Sequence, residues 1–346
     1  MSRKLLLGAV SVLGLASAAS AEVPSVAADI PPVHSLVSIV MGDLGTPDLL
    51  VQPGASPHGY SLRPSEAAAL NRADAVFWIG ESLEPWLAGS IEALADNAHV
   101  IELVETDGTT ELEFREGATF EAHSHDHGED DHHDHDHEDA HDHDHEEHDH
   151  DEHDHDEHAH DDHDHDEHAH EGHDHHGHDP HAWLDPENAR VWLDVIASEL
   201  SELDPENAAT YSANAEAGKT NLENLIGEIS AQLDPVRGAN FVVFHDAYQY
   251  FENRFDFPAR GSITLGDASD PSPARIEEIQ HKVAELGVSC AFAEPQFNPD
   301  LVATVFRGTD AQTGIMDPLG TDLEPGADLY PQLLRNLASS LTDCLG

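Results

Sequence analysis

The sequence predicts an α/β protein of two βα lobes with parallel sheets, joined by a long helix and interrupted in the first lobe by a disordered loop. Three observations carry this. Short apolar runs alternate with amphipathic stretches both before and after residues 121–180. One unbroken helical stretch, Asn207 to about Leu233, separates the two alternating halves. The segment between Glu121 and Pro180 holds 27 Asp and Glu and no Lys or Arg. The predicted organisation is a signal peptide over 1–21, an N-terminal lobe over 22–206 that contains the 121–180 loop, a linking helix over 207–235 and a C-terminal lobe over 236–346.

Each element has a local reason. Arg3 and Lys4, the apolar run Leu5–Leu15 and the small residues Ala19-Ser20-Ala21 form a secretory signal peptide, with Glu22 the first mature residue. That run is too short to span a bilayer comfortably, and no other segment approaches about eighteen consecutive apolar residues. The mature chain is therefore expected to be soluble and outside the cytoplasm. Val26–Ile30 reads as a strand, followed by a helix that Pro31 and Pro32 open and that carries Leu36, Val37 and Val40. Leu49–Val51 is a second strand, ending in the Gly54–Ser61 loop. Pro64–Ala73 reads as a helix, Ala75–Ile79 as a buried strand and Pro85–Ala95 as a helix.

The stretch from His123 to His178 holds 24 of the 30 histidines, mostly as His-Asp-His and His-Asp-Glu-His units. It has too little apolar surface to offset the entropy of ordering, so it is expected to be disordered. Removing it leaves roughly 270 mature residues, enough for two domains. Beyond it, Asp185-Pro186 supplies an N-cap and an N1 proline for a helix to about Leu203. In the linking helix, Leu222, Leu225, Ile226, Ile229 and Leu233 share one stripe, and Asp234-Pro235 stops it. The second half repeats the alternation: strand Phe241–Phe244, helix Ser272–Leu286, strand Ser289–Ala293, helix Pro299–Arg307 and last helix Tyr330–Leu345.

Composition limits function. Of the formal charge of −56, the 121–180 segment contributes −27 and the remainder, with 14 basic and 43 acidic residues, −29. An acidic body opposes binding to nucleic acid or an anionic membrane and fits a cationic ligand. The two cysteines, Cys290 and Cys344, read in an oxidising compartment as one disulfide tying the last helix to the domain body. The alternative, two thiolate metal ligands, has no C-x-x-C or close Cys-His pairing behind it.

Three histidines stand apart from the low-complexity run. His58 lies in Pro-Gly-Ala-Ser-Pro-His-Gly-Tyr between a strand and a helix, His181 just ahead of a capped helix, and His245 at the end of an apolar strand. A lone strand-end histidine is more often a hydrogen-bonded structural residue. Three at loop edges, in a chain with a metal-attracting insert, point to a ligand set, because open α/β sheets bind ligands outside the carboxyl ends of their strands. Neutral imidazole suits Zn²⁺, which takes four N or O donors at about 2.0–2.2 Å. The fourth position stays open between Asp317, which follows a short apolar strand and whose other role is capping the turn before Pro318, Glu294, which is also placed to back a ligand, and water. His281 and His99 read as surface residues and His34 as structural.

The resemblance becomes specific in five stretches. Gln52-Pro53-Gly54-Ala55-Ser56-Pro57-His58-Gly59-Tyr60-Ser61-Leu62-Arg63-Pro64-Ser65 resembles the first ligand loop of the zinc-specific solute-binding proteins of bacterial ABC transporters, the metal-binding cluster A-I family. His181-Ala182-Trp183-Leu184-Asp185-Pro186, Phe244-His245-Asp246-Ala247-Tyr248, Phe292-Ala293-Glu294-Pro295-Gln296 and Met316-Asp317-Pro318-Leu319-Gly320 match further loops, in the family's order. The resemblance implies two Rossmann-like lobes on a rigid helix, with Zn²⁺ held between them by His58, His181 and His245. The manganese branch has a carboxylate at the third ligand position, where this chain has His245, and an Asp ligand at the place of Asp317. In zinc members the latter need not coordinate. The implied setting is the periplasm and the implied partners are a membrane permease with its cytoplasmic ATPase, and a periplasmic zinc chaperone, the protein itself being a monomer.

The insert has its own chemistry. His at i and i+2 of an extended chain face the same side, so His-Asp-His offers paired imidazoles beside carboxylates. His123, His125, His127, His133, His135, His137, His141, His143 and His145 are thus expected to form accessory zinc sites, weaker than a preformed cleft because each must be ordered on binding. The competing functions are a zinc buffer in which the insert is the whole activity and a zinc hydrolase. Against the hydrolase, there is no H-E-x-x-H and no clear general base beside a ligand.

Overall fold

Short apolar runs followed by proline-opened helices give two sheets of the same design. The computed structural model describes residues 23–115, 177–264, 272–297, 302, 305–309 and 311–346. The signal peptide, the insert's histidines through His176 and most of the helix expected over Pro299–Arg307 lie outside the described residues. The first lobe runs β1 (Val26–Ala28), α1 (Pro31–Met41), β2 (Asp48–Leu49), α2 (Pro64–Arg72), β3 (Ala75–Trp78), α3 (Pro85–Leu94), β4 (His99–Glu102) and α4 (Pro186–Leu203). The long α5 (Ala208–Leu233) follows. The second lobe runs β5 (Phe241–His245), α6 (Gln249–Phe255), β6 (Ser262–Thr264), α7 (Pro273–Leu286), β7 (Cys290–Ala293), β8 (Gln312–Ile315) and α8 (Leu329–Leu345).

Among the described residues all strand pairs are parallel, in the orders β2-β1-β3-β4 and β6-β5-β7-β8. Each lobe therefore grows one way from its first strand and then the other, leaving a crevice at the carboxyl ends of its first and third strands. β1, β3, β5 and β7 are buried throughout, as parallel strands covered on both faces require. Among the described residues, no helix is long and apolar enough to cross a membrane.

Local chemistry starts and stops the helices. Arg63 N donates to Glu66 Oε2 at 2.7 Å ahead of Pro64, and Asp185 Oδ1 accepts from Glu187 N at 2.8 Å ahead of Pro186. Ser272 Oγ accepts from Arg275 N at the start of α7. α5 buries Leu222, Leu225, Ile229 and Leu233 and packs against α4, α1 and α8. A Cβ on Gly218 would stand 2.9 Å from both Ile39 and Leu193, so glycine sets how closely α5 approaches the first lobe. α8 reaches back to that lobe too: Tyr330 N donates to Ser35 Oγ at 3.0 Å.

Three features differ from the sequence reading. α6 and β6 were not expected: both are short, and α6 has no side-chain cap. The strand leading to Asp317, expected to be apolar, is an exposed edge strand, Gln-Thr-Gly-Ile. The acidic segment read as disordered to Pro180 gives way to folded chain by Gly177, where His178 bridges antiparallel to Glu113 and Asp179 N donates to Leu112 O at 2.7 Å. His34 is buried with Nε2 3.1 Å from Pro47 O, while His99 and His281 are exposed.

In the first lobe's crevice lie two buried carboxyls, Asp29 after β1 and Glu84 at the start of α3. Asp29 accepts from Ile30 N and Ile79 N, each at 2.6 Å, and the Glu84 carboxyl has the Asp29 side chain as its hydrogen-bond partner. Burial pushes Asp29 up to about 6, and burial and then the Asp29 charge push Glu84 well above its usual value. The folded chain therefore holds these protons more tightly than the unfolded chain. For Asp29 the stability this contributes is fully present below about pH 4 and is lost as pH rises through about 6, and for Glu84 the loss extends to higher pH. Glu84→Gln is expected to raise stability at pH 8 and to flatten its fall between pH 5 and 8. Urea unfolding at both pH values checks this; an unchanged slope would contradict it.

Candidate metal centre

β5 ends in His245 at the second lobe's crevice, and Glu294 follows β7 directly across the sheet. Glu294 Oε1 lies 2.7 Å from His245 Nδ1, at 1% side-chain exposure for the carboxylate. From the first lobe, His181 heads a single 3₁₀ turn, residues 182–184, that leads into α4. Its Nδ1 lies 2.6 Å from Asp179 Oδ1, which also accepts from His181 N at 3.0 Å. Trp183 Nε1 donates to Pro318 O, and Tyr330 OH donates to Trp183 O, so the turn is held against the second lobe.

His58 comes on the loop between β2 and α2. Trp86 Nε1 donates to Pro57 O at 2.6 Å, and the Tyr60 ring rests 5.7 Å from Trp86 while its hydroxyl donates to Glu66. Gly54, at φ 84°, turns the loop where a side chain would be strained. The anchors on Pro57 and Tyr60 flank His58 on both sides.

These elements bring one ligand atom from each of His58, His181 and His245 within 4.8 Å of one another. Ring centroids are 5.3 Å apart for His58–His181, 6.1 Å for His58–His245 and 5.2 Å for His181–His245. His181 and His245 are buried and His58 half-buried. Nδ1 of each buried ring donates to its carboxylate, which makes Nε2 the electron-pair donor and fixes ring orientation. The two Nε2 atoms stand 3.4 Å apart. The cleft wall is completed by Ser56, Pro57, Trp183, Gln296, Phe297, Pro318 and Leu319.

Burial pushes the Asp179 carboxyl up to about 7, opposed by the His181 N–H bond and the charges of Arg115, His245 and His58. Burial also raises Asp246 and Glu252, with Arg115 opposing in both. Asp317 commits its oxygens to its own turn, accepting from Leu319 N at 3.0 Å, Thr321 N at 2.5 Å and Gln296 Nε2 at 3.0 Å. A second group, His99, Glu199 and Glu202, also brings ligand atoms within 4.8 Å, but at the surface, where such groupings are common without a metal.

Comparison with known proteins shows the family of the chain. The model of the family described as zinc-uptake complex component A, periplasmic (ZnuA), matches residues 26–344. The chain belongs to this family. It is 50% identical over 329 residues to the high-affinity zinc uptake system protein ZnuA of Brucella abortus (strain 2308), across 95% of this chain and 94% of that one. The protein of the same description from Paracoccus denitrificans (strain Pd 1222) is 46% identical over the same length and the same shares of both chains. A crystal structure of ZnuA shares the fold at a TM-score of 0.69 and 23% identity, covering 93% of this chain and 99% of that one. A zinc-bound deletion mutant of ZnuA does so at 0.68 and 22%, covering 93% and 98%.

The sequence-predicted histidines thus meet, while Glu294 stands behind His245 and Asp317 in its own turn. The histidines from His123 to His145 lie outside the described residues. Sequence reasoning missed Asp179, whose side chain looks like part of the acidic run, and Arg115. The available signal for Arg115 was its isolation, since it is the only basic residue between Arg72 and Arg190.

Proposed function

We propose that the chain captures Zn²⁺ as cargo between its lobes, through the imidazoles of His58, His181 and His245, and delivers it to a membrane permease driven by a cytoplasmic ATPase. One observation carries the reading: two carboxylate-backed imidazoles present Nε2 atoms 3.4 Å apart. Four donors at about 2.0–2.1 Å from Zn²⁺ at tetrahedral angles stand about 3.3–3.4 Å apart, so this pair already has the spacing of a tetrahedral edge. Three imidazoles favour zinc over manganese, which prefers carboxylate and water. With Asp317 engaged in its own turn and Glu294 on His245 Nδ1, water is the fourth donor. Membership of a periplasmic zinc-uptake family supports the compartment, the transporter partners and a binding rather than a catalytic role.

The His-rich segment serves as an accessory collector. Its acidic field raises the local concentration of cations. A chain lacking residues 122–176 keeps every described contact at the base of the segment. It is expected to take Zn²⁺ from a competing chelator several-fold more slowly than the full chain, at about the same final affinity. Equal rates in stopped-flow transfer would remove the collecting role and leave the cleft assignment standing.

A further inference from the structure

The two chain segments that flank the His-rich insert are bonded to the second lobe at the corner that carries His245. On the outgoing side, Arg115 Nε lies 3.0 Å from both oxygens of Asp246, and its Nη2 also donates to Asp246. Its Nη1 and Nη2 donate to Glu252 at 2.7 and 3.1 Å. Asp246 directly follows His245, and Glu252 lies on α6, where it also accepts from Ala259 N. On the returning side, Asp179 backs His181. One hydroxyl joins the sides: Tyr250 OH accepts from Leu112 N at 2.9 Å and donates to Asp179 O at 2.8 Å. The Glu113–His178 bridge closes the neck.

We propose that Arg115 is a positioning residue for the metal centre: its fork clamps Asp246, fixes the strand-end backbone that presents His245 and joins the insert's neck to the cleft. This rests on the zinc assignment above. Arg115 faces Asp246 and Glu252 directly and its charge reaches Asp179, so one guanidinium serves three largely buried carboxylates, two of them beside ligand histidines in the chain. A buried ion pair is weak evidence of stabilisation as such. A planar fork that grips a carboxylate at both oxygens fixes direction as well as charge, which a lysine cannot reproduce.

The test uses the full chain as wild type, Arg115→Met and Arg115→Lys. The readouts are the affinity of the first zinc equivalent by chelator competition, the visible spectrum with one equivalent of Co²⁺, and the melting temperature without metal. Arg115→Met is expected to weaken the first equivalent about tenfold or more, in the range seen when an outer partner of a metal ligand is removed, and to alter the Co²⁺ bands. Arg115→Lys is expected to recover the melting temperature in part and to leave the bands altered. A lower melting temperature with wild-type affinity and wild-type bands would overturn the inference and make Arg115 a stabilising ion pair only. If Arg115→Met does not fold, Arg115→Lys decides on the same two metal readouts. Retention of the first equivalent by His245→Ala would instead sink the zinc assignment itself.

Discussion

His181→Ala is expected to weaken the tight zinc site by more than about 100-fold, beyond the roughly 10–100-fold that loss of an outer partner costs. His181 lies 5% exposed, with Nδ1 committed to Asp179 and Nε2 3.4 Å from the Nε2 of His245. Removing it leaves two imidazoles on different lobes and a buried Asp179 without its ring partner. His245→Ala should act alike, since it strips Glu294 of the same kind of partner. Chelator competition measures both, and an affinity within about threefold of wild type would remove the residue from the ligand set.

Loss of the Cys290–Cys344 disulfide is expected to cost about 4 kcal/mol by the chain-entropy estimate for a separation of 54 residues. The bond ties the start of β7 to the last turn of α8, and α8 in turn packs on α5 and α1. Gly314 of β8 lies between these parts: a Cβ there would stand 2.6 Å from the Phe292 ring and 3.5 Å from Cys344 Cβ. The proposed metal centre is at the opposite end of β7, where Glu294 is held through its bond to His245. The double variant Cys290→Ala, Cys344→Ala should therefore show a lower urea midpoint with zinc affinity nearly unchanged. An unchanged midpoint would contradict the estimate; an equal loss of zinc affinity would contradict the separation of the two sites.

The parts of the fold legible in the sequence are those set locally. Asp185-Pro186 caps α4 as its residue types dictate, and its carboxylate also meets Arg254 at 2.7 Å across the lobes, which no local pattern reveals. The apolar runs of β1, β3, β5 and β7 read directly, because burial on both faces permits little else. α6 was hidden by its seven-residue length and by an aromatic composition, Gln-Tyr-Phe-Glu-Asn-Arg-Phe, with no helical start signal. The three histidines were legible by their loop positions and their family-like surroundings. Asp179 was not: its type matches the acidic run beside it, and only tertiary contact sets a carboxylate at 1% exposure behind a ring. Arg115 is a similar case, since its partners lie more than 130 positions along the chain.

Counting tight zinc equivalents in a chain lacking residues 122–176, by competition with a chelator, tests the central claim most directly. The account predicts one tight equivalent with the deletion alone, and none when His58, His181 or His245 is also replaced by alanine. A folded deletion chain with no tight equivalent would place zinc capture in the His-rich segment and contradict the cleft assignment.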